Sequence, residues 1–95
     1  MTLQQLIYTV KIAETKSMNK AATELFLSQP TLSTAVHELE EELGIQIFIR
    51  TQRGIIVTTE GEQFLSYARQ MTELSDMIRE RYDKGALCGG CEWGE

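Results

Sequence analysis

Ser17-Met18-Asn19-Lys20-Ala21-Ala22-Thr23-Glu24-Leu25-Phe26-Leu27-Ser28-Gln29-Pro30-Thr31-Leu32-Ser33 is the stretch that decides the fold. Ser17 stands where an N-cap belongs, and Met18, Ala21, Ala22 and Leu25 follow at i, i+3, i+4 and i+7, the spacing of one buried helical face. This helix is short, and its paired alanines let a neighbouring helix approach closely. Phe26 and Leu27 fall in the turn that follows. Ser28 opens the next helix with Pro30 in its first turn, where a missing N–H removes no intrahelical bond.

The helix that begins at Ser28 carries its apolar side on Leu32, Val36, Leu39 and Leu43, and Gly44 sits where a left-handed C-cap belongs. At 100° per residue, the opposite direction is occupied by Pro30, Thr34, His37 and Glu41, with Ser33 on the flank. The leading part of the outward face is therefore small, polar and neutral. The acids Glu38, Glu40, Glu41 and Glu42 are confined to the far half. A helix N-terminus offers free N–H groups and the positive end of the macrodipole to phosphates. Small polar side chains beside it let the backbone approach a major groove and read base edges.

Working outward, Thr2 and Gln5 have the spacing of a capping box, and Leu3, Leu6, Ile7, Val10 and Ala13 form one stripe, which predicts a first helix over about Leu3–Glu14. Downstream, the β-branched run Ile45–Arg50, the turn Thr51-Gln52-Arg53-Gly54 and the run Ile55–Thr58 predict a hairpin with Arg53 at its tip. Thr58 or Thr59 starts the last helix, and Thr59 with Glu62 has the capping-box spacing. Phe64, Tyr67, Met71, Leu74 and Ile78 step by 3, 4, 3 and 4, a heptad-like seam that Leu65, Ala68 and Met77 widen. A helix reaching Tyr82 is ~36 Å long at 1.5 Å per residue. Nothing else in so small a domain covers it, whereas a second copy does, so Phe64, Tyr67, Met71, Leu74 and Ile78 are the expected dimer contacts. The fold expected is mainly α: a winged helix-turn-helix of three helices and a two-stranded wing, followed by a long dimerisation helix. Its units are residues 1–58, a linker and dimerisation helix over 59–83, and a hinge or disordered tail over 84–95.

Bulk properties limit the remaining possibilities. At 95 residues the chain is one small domain. No apolar run approaches the ~20 residues of a membrane helix, and no signal-peptide pattern opens the chain, so the expected location is the cytoplasm and no membrane partner is implied. The net charge of −5 argues against nucleic acid at first sight. Yet residues 1–58 hold five Lys/Arg against six Asp/Glu, and residues 59–95 hold four against eight, so the excess acid lies in the second part. Whole-chain charge is a weak guide when a single face meets the phosphates. Enzymatic chemistry finds no support, because there is no Gly-rich phosphate loop and no nucleophile–base pair. No cofactor and no metal site is expected: His37 is the one histidine, and Cys88 and Cys91 form an isolated C-x-x-C, short of the four ligands that zinc takes.

Ala21-Ala22-Thr23-Glu24-Leu25-Phe26-Leu27-Ser28-Gln29-Pro30-Thr31-Leu32-Ser33 resembles the signature of the LysR-type transcriptional regulators. Leu39-Glu40-Glu41-Glu42-Leu43-Gly44, then Phe48, Arg50, Arg53-Gly54, Thr58 and Gly61 fit the same pattern, and the likeness covers about residues 2–80. The resemblance implies a sequence-specific DNA-binding transcription regulator, a homodimer on an imperfect inverted repeat in double-stranded DNA. By position, Ser28, Gln29, Pro30, Ser33, Thr34 and His37 are then recognition-helix residues, and Arg50 and Arg53 belong to the wing. In that family an effector-binding domain of two lobes normally follows the long helix. It is absent here, so a small-molecule effector is expected only with such a domain, and the chain reads as a fragment, a truncated product or a stand-alone form. Gly85–Gly90 faintly resembles the hinge into that domain. Two departures stand out: the family usually has Arg or Lys at the position of Thr34, and often a basic residue at that of His37. The alternative reading is a winged-helix dimerisation or protein-interaction module with little or no DNA binding.

Overall fold

The computed structural model describes the backbone of residues 1–93 and the side chains of residues 1–82. Helix α1 (Leu3–Thr15) starts from a reciprocal cap: the Gln5 N–H donates to Thr2 Oγ1 at 3.1 Å, and the Thr2 N–H donates to Gln5 Oε1 at 3.0 Å. The helix closes on Lys16 in the left-handed region, φ 56°, with the Lys16 N–H on the Ile12 carbonyl at 2.7 Å. Helix α2 (Met18–Glu24) is capped by Ser17, whose Oγ accepts the Lys20 N–H at 3.2 Å. Phe26, at φ 59°, reverses the chain, and the Leu27 N–H returns to the Ala22 carbonyl at 2.9 Å. Helix α3 (Gln29–Leu43) then begins at Ser28, whose Oγ accepts the Thr31 N–H at 3.2 Å. It ends at Gly44, φ 71°, as its spacing predicts.

The wing is a two-stranded antiparallel sheet of β1 (Phe48–Thr51) and β2 (Gly54–Val57), in register Phe48↔Val57 through Thr51↔Gly54. It is shorter than the sequence predicts. Ile45–Ile47 is not strand, because the backbone there is engaged elsewhere: Glu40 Oε2 accepts the Ile47 N–H at 2.8 Å and the Phe48 N–H at 3.1 Å. Gly54 lies at φ 129° so close to the Lys16 carbonyl that a Cβ would stand 2.9 Å from that oxygen. The same carbonyl accepts the Ile55 N–H at 3.2 Å, which fastens β2 to the turn between α1 and α2.

One core joins these elements. Ile12, Ala21, Leu32, Leu39, Ile47 and Leu65 lie at its centre, each 1% exposed or less. Burial of each large aliphatic contributes about 1.5–3 kcal/mol before chain entropy is counted. The inward face of α1 is rotated from the expected stripe. Leu6, Thr9, Ile12 and Ala13 are buried, Ile7 and Val10 are half-buried, and Leu3 is exposed. Thr9 tolerates full burial because its hydroxyl donates to the Leu6 carbonyl at 2.8 Å, leaving no orphaned polar group. Ile7 and Val10 line a groove between α1 and α4, Val10 also packing against the core.

Helix α4 (Thr59–Trp93) starts where expected but with a different cap, and it runs further than expected. Thr58 is the cap: its Oγ1 accepts the Gly61 N–H at 2.9 Å while its hydroxyl donates to the Gln46 carbonyl, and the Thr59–Glu62 box does not form. With Thr58 as N-cap, the third helical position is Gly61, which has no side chain to reach back. Gly61 is required there for another reason, since a Cβ would collide with the Ile47 carbonyl oxygen. At the other end, the helix continues beyond Tyr82 to Trp93, so the stretch from Gly85 is helical and not the loop or tail anticipated. Once nucleated, a helix gains one bond per residue; the glycines there weaken propagation without blocking it, and no proline follows Pro30 to remove a donor. Cys88 and Cys91 lie outside the residues whose side chains are described.

Leu65 and Ala68, 1% and 0% exposed, are the core-facing side of α4 and do not widen its seam. The seam proper points elsewhere. Phe64 is half-buried and packs on the core, whereas Tyr67 (68%), Met71 (47%), Leu74 (58%) and Ile78 (59%) are uncovered, with Met77 and Tyr82 beside them. No helix among the described residues is long and apolar enough to cross a membrane.

Candidate nucleic-acid interface

The geometry of α3 separates its two faces cleanly. Leu32, Val36 and Leu39 are buried, Leu43 is half-buried, and Pro30, Thr34 and His37 are exposed, with Gln29 and Ser33 half-buried at the flank. Ser28 has a structural duty: its Oγ accepts the Thr31 N–H and its hydroxyl donates to Thr31 Oγ1 at 2.8 Å. An N-cap remains at the helix tip whatever else it touches, so a capping role and a phosphate contact are compatible.

Wing and helix meet on one side. Arg50 donates from Nη2 to Ser33 Oγ at 2.8 Å, so these two expected contact residues are joined to each other across the gap between β1 and α3. Arg53 lies exposed in the two-residue connection of the hairpin, and its backbone N–H donates to Thr51 Oγ1 at 3.2 Å. That bond shapes the turn from which the guanidinium projects. His37 Nε2 stands 3.3 Å from Glu41 Oε2, one turn further along α3. Its polar partner in the free protein is thus a carboxylate.

The four glutamates of α3 have different surroundings. Glu40 Oε2 holds the backbone at the start of β1, Glu42 receives the terminal amine of Met1 at 2.6 Å, Glu41 neighbours His37, and Glu38 is exposed. Three of the four acids are therefore engaged in internal contacts, which reduces the repulsion that the bare count suggests.

The structure also brings forward residues that sequence reasoning did not single out as contacts. Ser17, Asn19 and Gln52 border the same shallow recess as Gln29 and Arg50, between the start of α2, the start of α3 and the wing. Asn19 and Gln52 carry no sequence signal that distinguishes them from solvated polar residues, and Ser17 reads only as a cap; the three become neighbours only when the hairpin folds back beside α2. Among the described residues there is no group of three or more His, Cys, Asp or Glu placed to hold a metal ion.

Comparison with known proteins bears on this geometry. Residues 3–62 match the bacterial regulatory helix-turn-helix proteins of the lysR family. The uncharacterized HTH-type transcriptional regulator YkuM of Bacillus subtilis is 42% identical over 84 residues, 88% of this chain and 29% of that protein. The crystal structure of a BenM_DBD/catB site 1 DNA complex superposes with a TM-score of 0.82 at 38% identity, covering 90% of this chain and 97% of that one. A CbnR_DBD–DNA complex superposes with a TM-score of 0.79 at 36% identity, covering 90% and 99%. The chain spans under a third of the length of the curated relatives it matches first, 29% of one and 28% of the next. Four helices, a two-stranded wing and a family match across residues 3–62 lead to one conclusion: the chain belongs to the LysR family of bacterial regulatory helix-turn-helix proteins.

Proposed function

We propose that this chain is the DNA-reading part of a transcription regulator, binding an imperfect inverted repeat as a homodimer. The leading edge of α3 enters the major groove, with Gln29, Pro30, Ser33, Thr34 and His37 toward base edges and Ser28 at the phosphates. Arg50 and Arg53 reach the backbone or the adjacent minor groove from the wing. The observation that carries this reading is the placement of a neutral polar helix edge beside a wing arginine, with the leucines of the same helix locked inside. The solved relatives named above were crystallised with DNA, which supports it.

Dimerisation belongs to α4. Tyr67, Met71, Leu74 and Ile78 form an apolar row that the protomer leaves in water, an arrangement that a second α4 removes by the packing of a two-helix seam. Phe64 contributes at its edge while also serving the core. In this reading residues 1–58 read the operator and α4 sets the spacing of the two half-sites. A small-molecule effector, where there is one, belongs to a further domain of the kind the longer relatives have room for. The protein acts beside the chromosome in the cytoplasm and carries no enzymatic activity of its own.

The net charge of −5 and Thr34 favour a second reading, a dimerising winged helix with little affinity for DNA. The two are separated by titrating the chain against duplexes enriched from a random pool, at low and at moderate salt, with the oligomeric state followed by sedimentation. Specific binding that weakens with salt is the expected outcome. A dimer that binds no duplex at either salt concentration establishes the second reading instead.

A further inference from the structure

We infer that Glu40 is a positioning residue for DNA binding: its carboxylate holds the root of the wing against α3 and so fixes where Arg50 and Arg53 stand relative to the recognition edge. This rests on the DNA-binding reading above. Glu40 is half-buried, unlike the exposed Glu38, Glu41 and Glu42, and a single oxygen, Oε2, accepts both the Ile47 N–H at 2.8 Å and the Phe48 N–H at 3.1 Å. Ser33 lies seven residues earlier, two turns along the same side of the helix, and receives Arg50 at 2.8 Å. Phe48 and Arg50 project from the same face of β1, at i and i+2, onto the strip of α3 formed by Ser33, Val36 and Glu40. One strip of the recognition helix therefore grips β1 at its root and at its middle, with the Phe48 ring seated between the two grips.

The consequence is directional. A two-stranded ribbon has little stability of its own, so its aim depends on what holds it. The bonds that the two backbone N–H groups donate to Glu40 are charge-assisted and directional, which apolar contacts from Phe48 and Ile55 are not. Arg53, at the far end of the hairpin, turns any tilt at the root into a displacement at the DNA.

Simple electrostatics and positioning give opposite signs here, which makes the inference testable. Removing a carboxylate from a surface that meets a polyanion tightens binding by charge alone. Removing the grip on the wing loosens it. The test measures affinity and its salt dependence for the full chain, on a duplex enriched with the wild-type protein. The variants are Glu40→Ala, Glu40→Gln, Glu40→Asp, Glu38→Ala, Arg53→Ala and the double variant Glu40→Ala/Arg53→Ala. Glu38→Ala is expected to bind as well as wild type or better. Glu40→Gln keeps a carbonyl oxygen for both N–H groups and is expected to bind within about threefold of wild type, whereas Glu40→Ala weakens about tenfold and loses roughly one to two units of salt slope as the wing contacts go. Arg53→Ala costs about tenfold in wild type and under about twofold in the Glu40→Ala background, because the wing it belongs to is already misplaced. Should circular dichroism show Glu40→Ala unfolded, Glu40→Asp takes its place in the cycle, retaining the charge while falling short of the wing. Tighter binding by Glu40→Ala, or an Arg53→Ala cost that is the same in both backgrounds, overturns the inference. A wild-type chain that binds no duplex overturns the DNA reading beneath it, a result distinct from wild-type binding without coupling.

Discussion

The edge of α3 and the seam of α4 are both exposed, for opposite physical reasons. Pro30, Thr34 and His37 face water because exposure costs the polar Thr34 and His37 and the compact Pro30 ring little, and their positions are fixed by the Ser28 cap and by the buried leucines behind them. Tyr67, Met71, Leu74 and Ile78 face water although covering what each still exposes would stabilise it by about 1 kcal/mol or more. The first surface is finished in the protomer; the second is not. A surface finished but polar waits for a ligand whose hydrogen bonds it matches, while an unfinished apolar row waits for more protein. On the proposed reading, one exposed face meets DNA and the other a second copy.

Breaking the second surface is expected to have the largest effect. Replacing Met71 and Leu74 together by Glu places charges in the seam, so sedimentation is expected to show monomers, and operator affinity to fall by about 10²–10⁴-fold as the avidity of two half-sites is lost. A dimer of unchanged stability would remove α4 as the interface. Gly61 sits in the first turn of α4, and Gly61→Ala forces a methyl group onto the Ile47 carbonyl. A loss of about 3 kcal/mol in chemical denaturation is expected, at the upper end for overpacking, with the midpoint moved and the slope retained.

Smaller effects sharpen the first surface. Gln29→Ala is expected to narrow the gap between specific and non-specific binding by about 2 kcal/mol per half-site with folding intact. An unchanged ratio would leave Gln29 as a solvated first-turn residue. The smallest change belongs to Thr34→Arg, which adds one cation per subunit to the neutral edge. The salt slope is expected to steepen by about 0.9 per phosphate gained, with sequence preference little altered. A slope that stays put would mean that Thr34 does not face the duplex.

Much of this was legible in the sequence, because caps and periodicity are local. Thr2 with Gln5, Ser17, Ser28 and Gly44 each satisfy backbone groups within a few residues, and each stands where its spacing placed it. The misreadings share a cause. Thr59 with Glu62 has the right spacing for a cap, yet Thr58 takes the role because the Gln46 carbonyl offers its hydroxyl a second partner from another part of the chain. Leu65 and Ala68 look like part of the seam until the position of α1 is known. Glu40 reads as one acid in a run of solvated acids, and nothing in that run marks it as the residue bound to the Ile47 and Phe48 backbone.

The sequence alone determined the order of elements, the outward polar edge of α3 and the existence of an apolar row on α4, since each follows from hydrogen bonds and side-chain directions within one or two turns. Tertiary structure alone decided which side of α1 and α4 is core, where the wing is anchored and which polar residues of α2 and the wing gather beside Gln29. Those outcomes depend on contacts between residues far apart in the chain, and a side chain's partners there are set by packing of the whole, which no local spacing records.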